Sequence, residues 1–349
     1  MHLEKEARIP DHCVVFSLSD ASDPSYQQKC QHNHDDSCEQ CEALKETLQD
    51  IENRINGCHF SSNDDHDEAN YIMQSSKLAI RSWQCHIVRS FNQDQARLDI
   101  LDLLDNETVL IVNDWAMKFL PQRYRESQSN WFGKRGISWH MSVVYRRSHD
   151  QLQWQGFVHV IQSCSQDSLS VIAIMQDVLS SIKAEYSDVN RAYFRQDNAG
   201  CYHSSATILA CPVVSQSTGV QIMRIDFSDP QGGKGAADRL AATCKAHVSS
   251  FVNEGHDVTN ATQLREALIS HGGIEGVRVA CMDSIEVLSP VSETTKIPNV
   301  SKLNNFEFRD NGIKGWRAYG IGDGKEINTH SSTAGNTIAR CLFVCICDT

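Results

Sequence analysis

Three aspartates, and a run of cysteines and histidines near the start, are the residues of this chain whose types and positions could do chemistry. Asp114 ends the apolar run VLIVND (109–114), Asp197 ends RAYFRQD (191–197), and Asp238 follows the glycine-rich PQGGKG. Carboxylates that arrive from separate elements can converge on two hard divalent cations, which clamp the attacking and leaving oxygens of a phosphoryl transfer. Mg²⁺ or Mn²⁺ is the cofactor such a trio would take. A single aspartate at a strand end or helix start often only caps or turns the chain, so it is the three together that carry this reading.

In KCQHNHDDSCEQCEAL (29–44), Cys38 and Cys41 form a CxxC pair at an expected helix start, with Cys30 upstream. Structural Zn²⁺ takes four soft or borderline ligands, and Cys30, His34, Cys38 and Cys41 make a Cys3His set, with His32 competing for the histidine place. Thiolates at a helix start gain from its positive end. The plainer alternative is an acidic arm with incidental cysteines. Cys58, His59 and His66 form a weaker set, and Cys201 and His203 read as core or substrate-adjacent residues.

The net charge of −12 looks wrong for a nucleic-acid partner until it is divided. Residues 1–68 hold 16 acidic and 5 basic side chains, which leaves 28 acidic and 27 basic for the rest. Residues 115–150 are locally basic: Lys118, Arg123, Arg125, Lys134, Arg135, Arg146 and Arg147 are interleaved with Trp115, Tyr124, Trp131, Phe132 and Trp139. Cations beside stacking surfaces suit a phosphate backbone with splayed bases. A solvated face over buried aromatics is the equal alternative. Fourteen cysteines without a secretory signal point to reduced thiols and metal ligands, hence to nucleus or cytoplasm, and no apolar run is long enough for a membrane span. The loop GGKG lacks the Ser or Thr that a P-loop places after its lysine, so nucleotide binding is rejected and Lys234 is offered to a scissile phosphate instead.

These groups need elements to position them. Helical spacing of Met73, Ile80, Trp83 and Ile87 predicts a helical segment over 69–106, with a second helix from about 95 to 104. Strands are predicted at 109–114, 137–145, 153–161, 191–197 and 220–227, with helices at 168–186, 201–212 and 236–253 and a further short helix, ATQLREAL, behind them. That order gives an α/β fold, a mixed sheet with helices on both faces, and it is the order of RNase H-like folds. The aspartate spacings of 83 residues (197 minus 114) and 41 residues (238 minus 197) suit such a core. The domains expected are an acidic, zinc-containing helical arm (1–68), the helical segment (69–106), the RNase H-like core (107–288), and a linker with a small C-terminal β module and doubtful tail (289–349).

The stretches NDWAMKFLPQRYRESQSNWFGKRGISWH (113–140), RQDNAGCYH (195–203) and DPQGGKGAADR (229–239) resemble blocks of transposon-derived animal proteins with an integrase-type core. The resemblance covers roughly 70–320. It implies phosphodiester cleavage or strand transfer on nucleic acid, DNA in particular, by a chain that could self-associate. In integrase-type enzymes a similar loop precedes the third carboxylate, which favours Asp238 over Asp226 or Asp229. The family commonly has Glu where Asp229 stands, so this chain departs from the pattern there. The alternative is a domesticated, catalytically idle module that binds nucleic acid or protein; a scaffold without either role rests on net acidity alone. No separate N-terminal sequence-specific DNA-binding domain is visible, which fits a fragment of a longer protein.

Overall fold

The computed structural model describes residues 2–229, 235–284 and 296–327. It forms two compact units, one from Met1–Gln95 with Trp316–Lys325, the other from Ala96–Gly315 with the residues from Glu326 on. The tail beyond 327, Lys234 with its loop, and the first part of the expected linker lie outside the described residues.

The first unit opens with α1 (Val14–Leu18) and α2 (Glu39–Gly57). The third helix, α3 (Asn63–Leu103), runs for 41 residues where the sequence suggested two. Nothing between 63 and 103 is Gly or Pro, so no residue stops the i→i−4 ladder. Of the expected stripe Met73 is buried, whereas Trp83 is 64% exposed and Val88 is buried in its stead. Lys77 Nζ and Gln74 Nε2 of α3 bind the Glu52 carboxylate of α2 at 2.9 and 2.7 Å. Further along, Arg317 pairs with Asp20 and lies 4.2 Å over the Tyr26 ring. Asn92 exchanges two hydrogen bonds with the Tyr319 backbone, at 3.0 and 2.8 Å.

Gly322 shows how tightly this unit is closed. Its φ is +74°, and a Cβ there would stand 2.6 Å from the Ser25 carbonyl oxygen and 2.7 Å from Tyr26 Cα. Backbone atoms cannot swing aside as a side-chain tip can. Gly322→Ala is expected to cost about 3 kcal/mol, the left-handed strain plus overpacking, read as a lowered denaturation midpoint.

The second unit is built on β1 (Thr108–Trp115), β2 (Ser138–Ser148), β3 (Gln151–Ser163), β4 (Arg191–Gln196) and β5 (Gln221–Phe227). Its helices are α4 (Gln128–Trp131), α5 (Ser168–Glu185), α6 (Ser205–Thr218), α7 (Ala236–Asn253) and α8 (Ala261–Ile269). Then come β6 (Val277–Ser284), β7 (Asn305–Arg309), β8 (Gly312–Trp316) and β9 (Lys325–Ile327). The sheet order is β6-β3-β2-β1-β4-β5-β7-β8-β9. β1 pairs antiparallel with β2 and parallel with β4, which pairs parallel with β5. Between β2 and β3 the two turn residues, His149 and Asp150, have φ of 49° and 61°, the left-handed pair of a type I′ turn that matches strand twist.

Alternation along the strands assigns the two faces. Trp139, Met141 and Val143 of β2 and Val158 and Val160 of β3 pack with Leu240, Cys244 and Val248 of α7 and Leu264 and Leu268 of α8. The intervening residues point the other way: His159 bonds Asp177 of α5 at 2.9 Å, and Gln196 Nε2 lies 3.6 Å from Met175 Sδ of α5. The fold is thus a large mixed sheet flanked by helices on both faces, with helices N-terminal to it. The segment read as a small β module occupies one side of this sheet, β7 running antiparallel to β5. Asp226 fixes that junction. It is fully buried, accepts from Arg224 Nε at 2.9 and 3.0 Å on its two oxygens, and from Asn305 Nδ2 at 2.7 Å.

Candidate functional site

The strand register places Asp114 and Asp197 side by side. β1 and β4 pair from Thr108↔Arg191 to Asn113↔Gln196, a constant offset of 83 residues (196 minus 113), and Asp114 and Asp197 are the next residue on each. Asn113 and Gln196 precede them on the α5 face, so the pleat turns both aspartates toward the α7 face. Asp238 lies in the first turn of α7, where its Oδ2 accepts from the Gly235 N–H at 2.8 Å. Asp197 Oδ1 accepts from the Ala199 N–H in an Asx turn. Each aspartate after Asp114 therefore also does the plain structural work open to such a residue.

The three charges act on one another. Burial pushes the Asp114 carboxyl up to about 7, and the carboxylates of Asp197 and Asp238 push the same way. Among the described residues none of the three has an ion-pair partner. The alternatives are differently placed. Asp226 is occupied by Arg224 and Asn305, and Asp229 is buried at the end of β5.

A layer of buried polar side chains beneath these carboxylates was not picked out in the sequence. Asn113, His140, His159 and Tyr202 are each at most 1% exposed. The His140 ring lies 5.0 Å from Trp115 and 5.9 Å from Tyr202. Burial and then His159 hold His140 well below the ordinary histidine range, so it is neutral. Burial raises the Tyr202 phenol well above its ordinary value, with Asp114 the next cause. The signal that could have exposed this layer is two histidines inside otherwise apolar strands. His203 stacks on Phe227 at 4.1 Å, a core contact.

A model of the family described as "Domain of unknown function (DUF8701)" matches residues 93–308, well over half the chain and all three aspartates. The chain belongs to this family. No curated protein matches the DUF8701 chain. Among solved structures it is similar to the Mos1 transposase paired-end complex with left transposon end, at 10% identity and TM-score 0.28, over 70% of this chain and 74% of that one. It is also similar to the Mos1 mariner paired-end complex with Mn, at 10% identity and TM-score 0.23, over 56% of this chain and 61% of that one.

The four Cys/His residues expected to hold zinc in the DUF8701 chain lie N-terminal to the family match, and the structure divides that set. Cys30 and His34 gather with Cys13 and His32, while Cys38 and Cys41 gather with His12. Cys58, His59 and His66 join neither group. Cys38 is the N-cap of α2 and Cys41 lies in its first turn, whereas Cys30 and His34 precede the helix. His12 and Cys13 were missed because they stand far upstream, outside any CxxC.

The basic stretch is also divided. Lys134 is an internal cation, not a surface one: its Nζ is 2.5 Å from Glu126 Oε1, 2.7 Å from the Pro121 carbonyl and 4.8 Å over the Trp131 ring. Arg123 pairs with Asp257 at 3.3 Å. Lys118, Arg125 and Arg135 are exposed, as are Tyr124, Trp131 and Phe132, whereas Trp139 is buried with its Nε1 donating to Met117 O at 2.7 Å. Among the described residues no helix is long and apolar enough to cross a membrane.

Proposed function

We propose that the core is RNase H-like and carries out metal-dependent phosphodiester cleavage or strand transfer on DNA, with Asp114, Asp197 and Asp238 as its carboxylates. The observation that carries this reading is the crowding of Asp114 by the other two charges, with no ion-pair partner for any of them among the described residues. Evolution rarely leaves such repulsion half-buried unless a cation relieves it. The strand order β3-β2-β1-β4-β5, with only β2 antiparallel to its neighbours, supports this reading, since it sets the first and fourth strands side by side at the centre of those five. Two Mg²⁺ or Mn²⁺ ions bound there would supply Lewis-acid activation and steady the leaving oxygen. The chain's own part is to hold the carboxylates at adjacent strand ends and a helix start and to grip the nucleic acid beside them.

A second reading, an idle binding module, is favoured by the use of Asp238 as the cap of its own helix. Incubating purified chain with labelled DNA and Mg²⁺ or Mn²⁺ separates the two: metal-dependent nicking or joining that Asp197→Asn abolishes supports catalysis, and DNA binding without any strand change supports the idle module. The grip is attributed to Lys118, Arg125 and Arg135 with Tyr124, Trp131 and Phe132. Replacing the three cations by Ala is expected to weaken DNA binding and to reduce the slope of log K against log salt by about 3, about one per phosphate contact. An unchanged slope would mean that these are solvated charges. Lys134→Ala, by contrast, should act on stability first, since that cation is spent on Glu126.

A further inference from the structure

We infer that the N-terminal arm holds two metal ions in adjacent sites: a closed Cys2His2 site of Cys13, Cys30, His32 and His34, and an open Cys2His site of His12, Cys38 and Cys41. In each group the ligand atoms all lie within 4.8 Å of one another. The separations inside the first are informative. Cys13 Sγ is 3.7 Å from Cys30 Sγ and 3.6 Å from His32 Nε2, and the Nε2 atoms of His32 and His34 are 3.1 Å apart. Zinc bonds of about 2.3 Å to sulfur and 2.0–2.1 Å to nitrogen, at tetrahedral angles, give edges of about 3.8 Å between sulfurs, 3.6 Å from sulfur to nitrogen and 3.3 Å between nitrogens. The observed edges follow those values pair by pair. A disulfide does not explain them, since 3.7 Å is far beyond the sulfur–sulfur bond of about 2.05 Å.

The second group has the same signature with one ligand fewer. His12 Nε2 stands 3.3 Å from Cys41 Sγ, near the sulfur-to-nitrogen edge of about 3.6 Å. His12 and Cys13 are consecutive, and the backbone at Cys13 is extended (φ −82°, ψ 114°), so their side chains diverge and each enters a different site. Around the first site, His32 Nδ1 is buried without a hydrogen-bond partner among the described residues, and Glu6 Oε2 stands 3.8 Å from it. The Ala7 carbonyl, 2.9 Å from His32 Nε2, is the contact a metal would have to replace.

The apolar core of the arm is small. It is formed by Ala7, Cys13, Val15, Ala318 and Ile321, one of them a ligand, and no residue of α2 is buried. Metal binding would then be a main source of its folding energy. Four protein ligands close a structural zinc, whereas three leave a position to solvent and permit exchange. The two ions should therefore differ in lability.

Metal analysis of the purified full-length chain is expected to give two zinc equivalents. A chromogenic chelator should remove them in two phases, one fast and one slow. Cys38→Ser with Cys41→Ser should keep the slow equivalent, and Cys13→Ser with Cys30→Ser should lose it. Should a variant not fold, titration of Co²⁺ into the metal-free wild-type chain is the deciding measurement: thiolate-to-cobalt absorption that saturates at two equivalents supports two sites. Saturation at one equivalent, or a Cys38→Ser, Cys41→Ser chain that still binds two zincs, overturns the inference.

Discussion

Asp114→Asn is expected to stabilise the metal-free chain at pH 8 while removing the rise in melting temperature that Mg²⁺ or Mn²⁺ gives the wild type. An unfolded aspartate loses its proton near 3.8, whereas the folded chain keeps the Asp114 proton to about 7. Between those values the folded state binds more protons than the unfolded one, so stability falls as pH rises and levels off above 7. The penalty is complete at pH 8 and gone below about pH 4. The full pKa difference corresponds to about 4 kcal/mol, and solvent screening of a half-buried group reduces that to about 2–4 kcal/mol. Asparagine removes the charge at nearly the same volume and should regain this amount at pH 8 and nothing at pH 4, by urea denaturation without divalent metal. The metal-loaded comparison should run oppositely, because binding to the folded state alone stabilises it and the variant lacks one of the proposed ligands. Equal stability of both chains at pH 8 would show that Asp114 is not crowded, and the carboxylate-site reading would go with it.

Asp226→Ala should be among the most destabilising single substitutions in the second unit. The carboxylate is fully buried and receives both Arg224 and Asn305, so it ties β5 to β7. The Arg224 side chain is only 14% exposed, and deleting the carboxylate strips that guanidinium of a buried counter-charge. Breaking one side of a buried pair costs about 3–5 kcal/mol. The drop should appear in the thermal midpoint, and Asp226→Asn, which keeps a polar partner for Asn305, should cost less. If the two variants are equally mild, the junction between β5 and β7 is held by its apolar contacts, such as Phe227 with Phe306 at 5.9 Å, and not by charge.

Much of the second unit could be read directly because its signals are strong and local. Continuous apolar runs marked β1 to β3, and the 3.6-residue stripes of α5 and α7 marked the helices that cover them. The aspartate spacing was informative for a geometrical reason. The offset of 83 residues between Asp114 and Asp197 is also the register offset of β1 against β4. What stayed hidden depended on contacts distant in sequence. β6 was missed because it lies at the edge, beside β3, where its described side chains are half-buried or, at Arg278, exposed, and make no clean alternation. β7 and β8 read as a separate module because their glycine turns are local, whereas the Asp226–Asn305 bond that joins them to β5 spans 79 residues (305 minus 226). The Cys/His set read from spacing is divided for the same reason: a CxxC is visible in a short window, but His12 comes to it, and Cys13 to Cys30, only by folding of the arm.

The pairings of this sheet differ widely in how much chain each must bring together, and that sets the sequence of its assembly. The β2–β3 hairpin closes across two residues, β1 meets β4 across 83 (191 minus 108), and β6 reaches β3 across 121 (277 minus 156). Closing a longer stretch costs more chain entropy before any contact repays it, so high contact order slows folding. The hairpin is therefore the natural nucleus, and the strands that carry Asp114 and Asp197 join it later. An ion that needs both carboxylates finds no site in the nucleus. Its stabilisation should fall on the unfolding rate, leaving the folding rate unchanged.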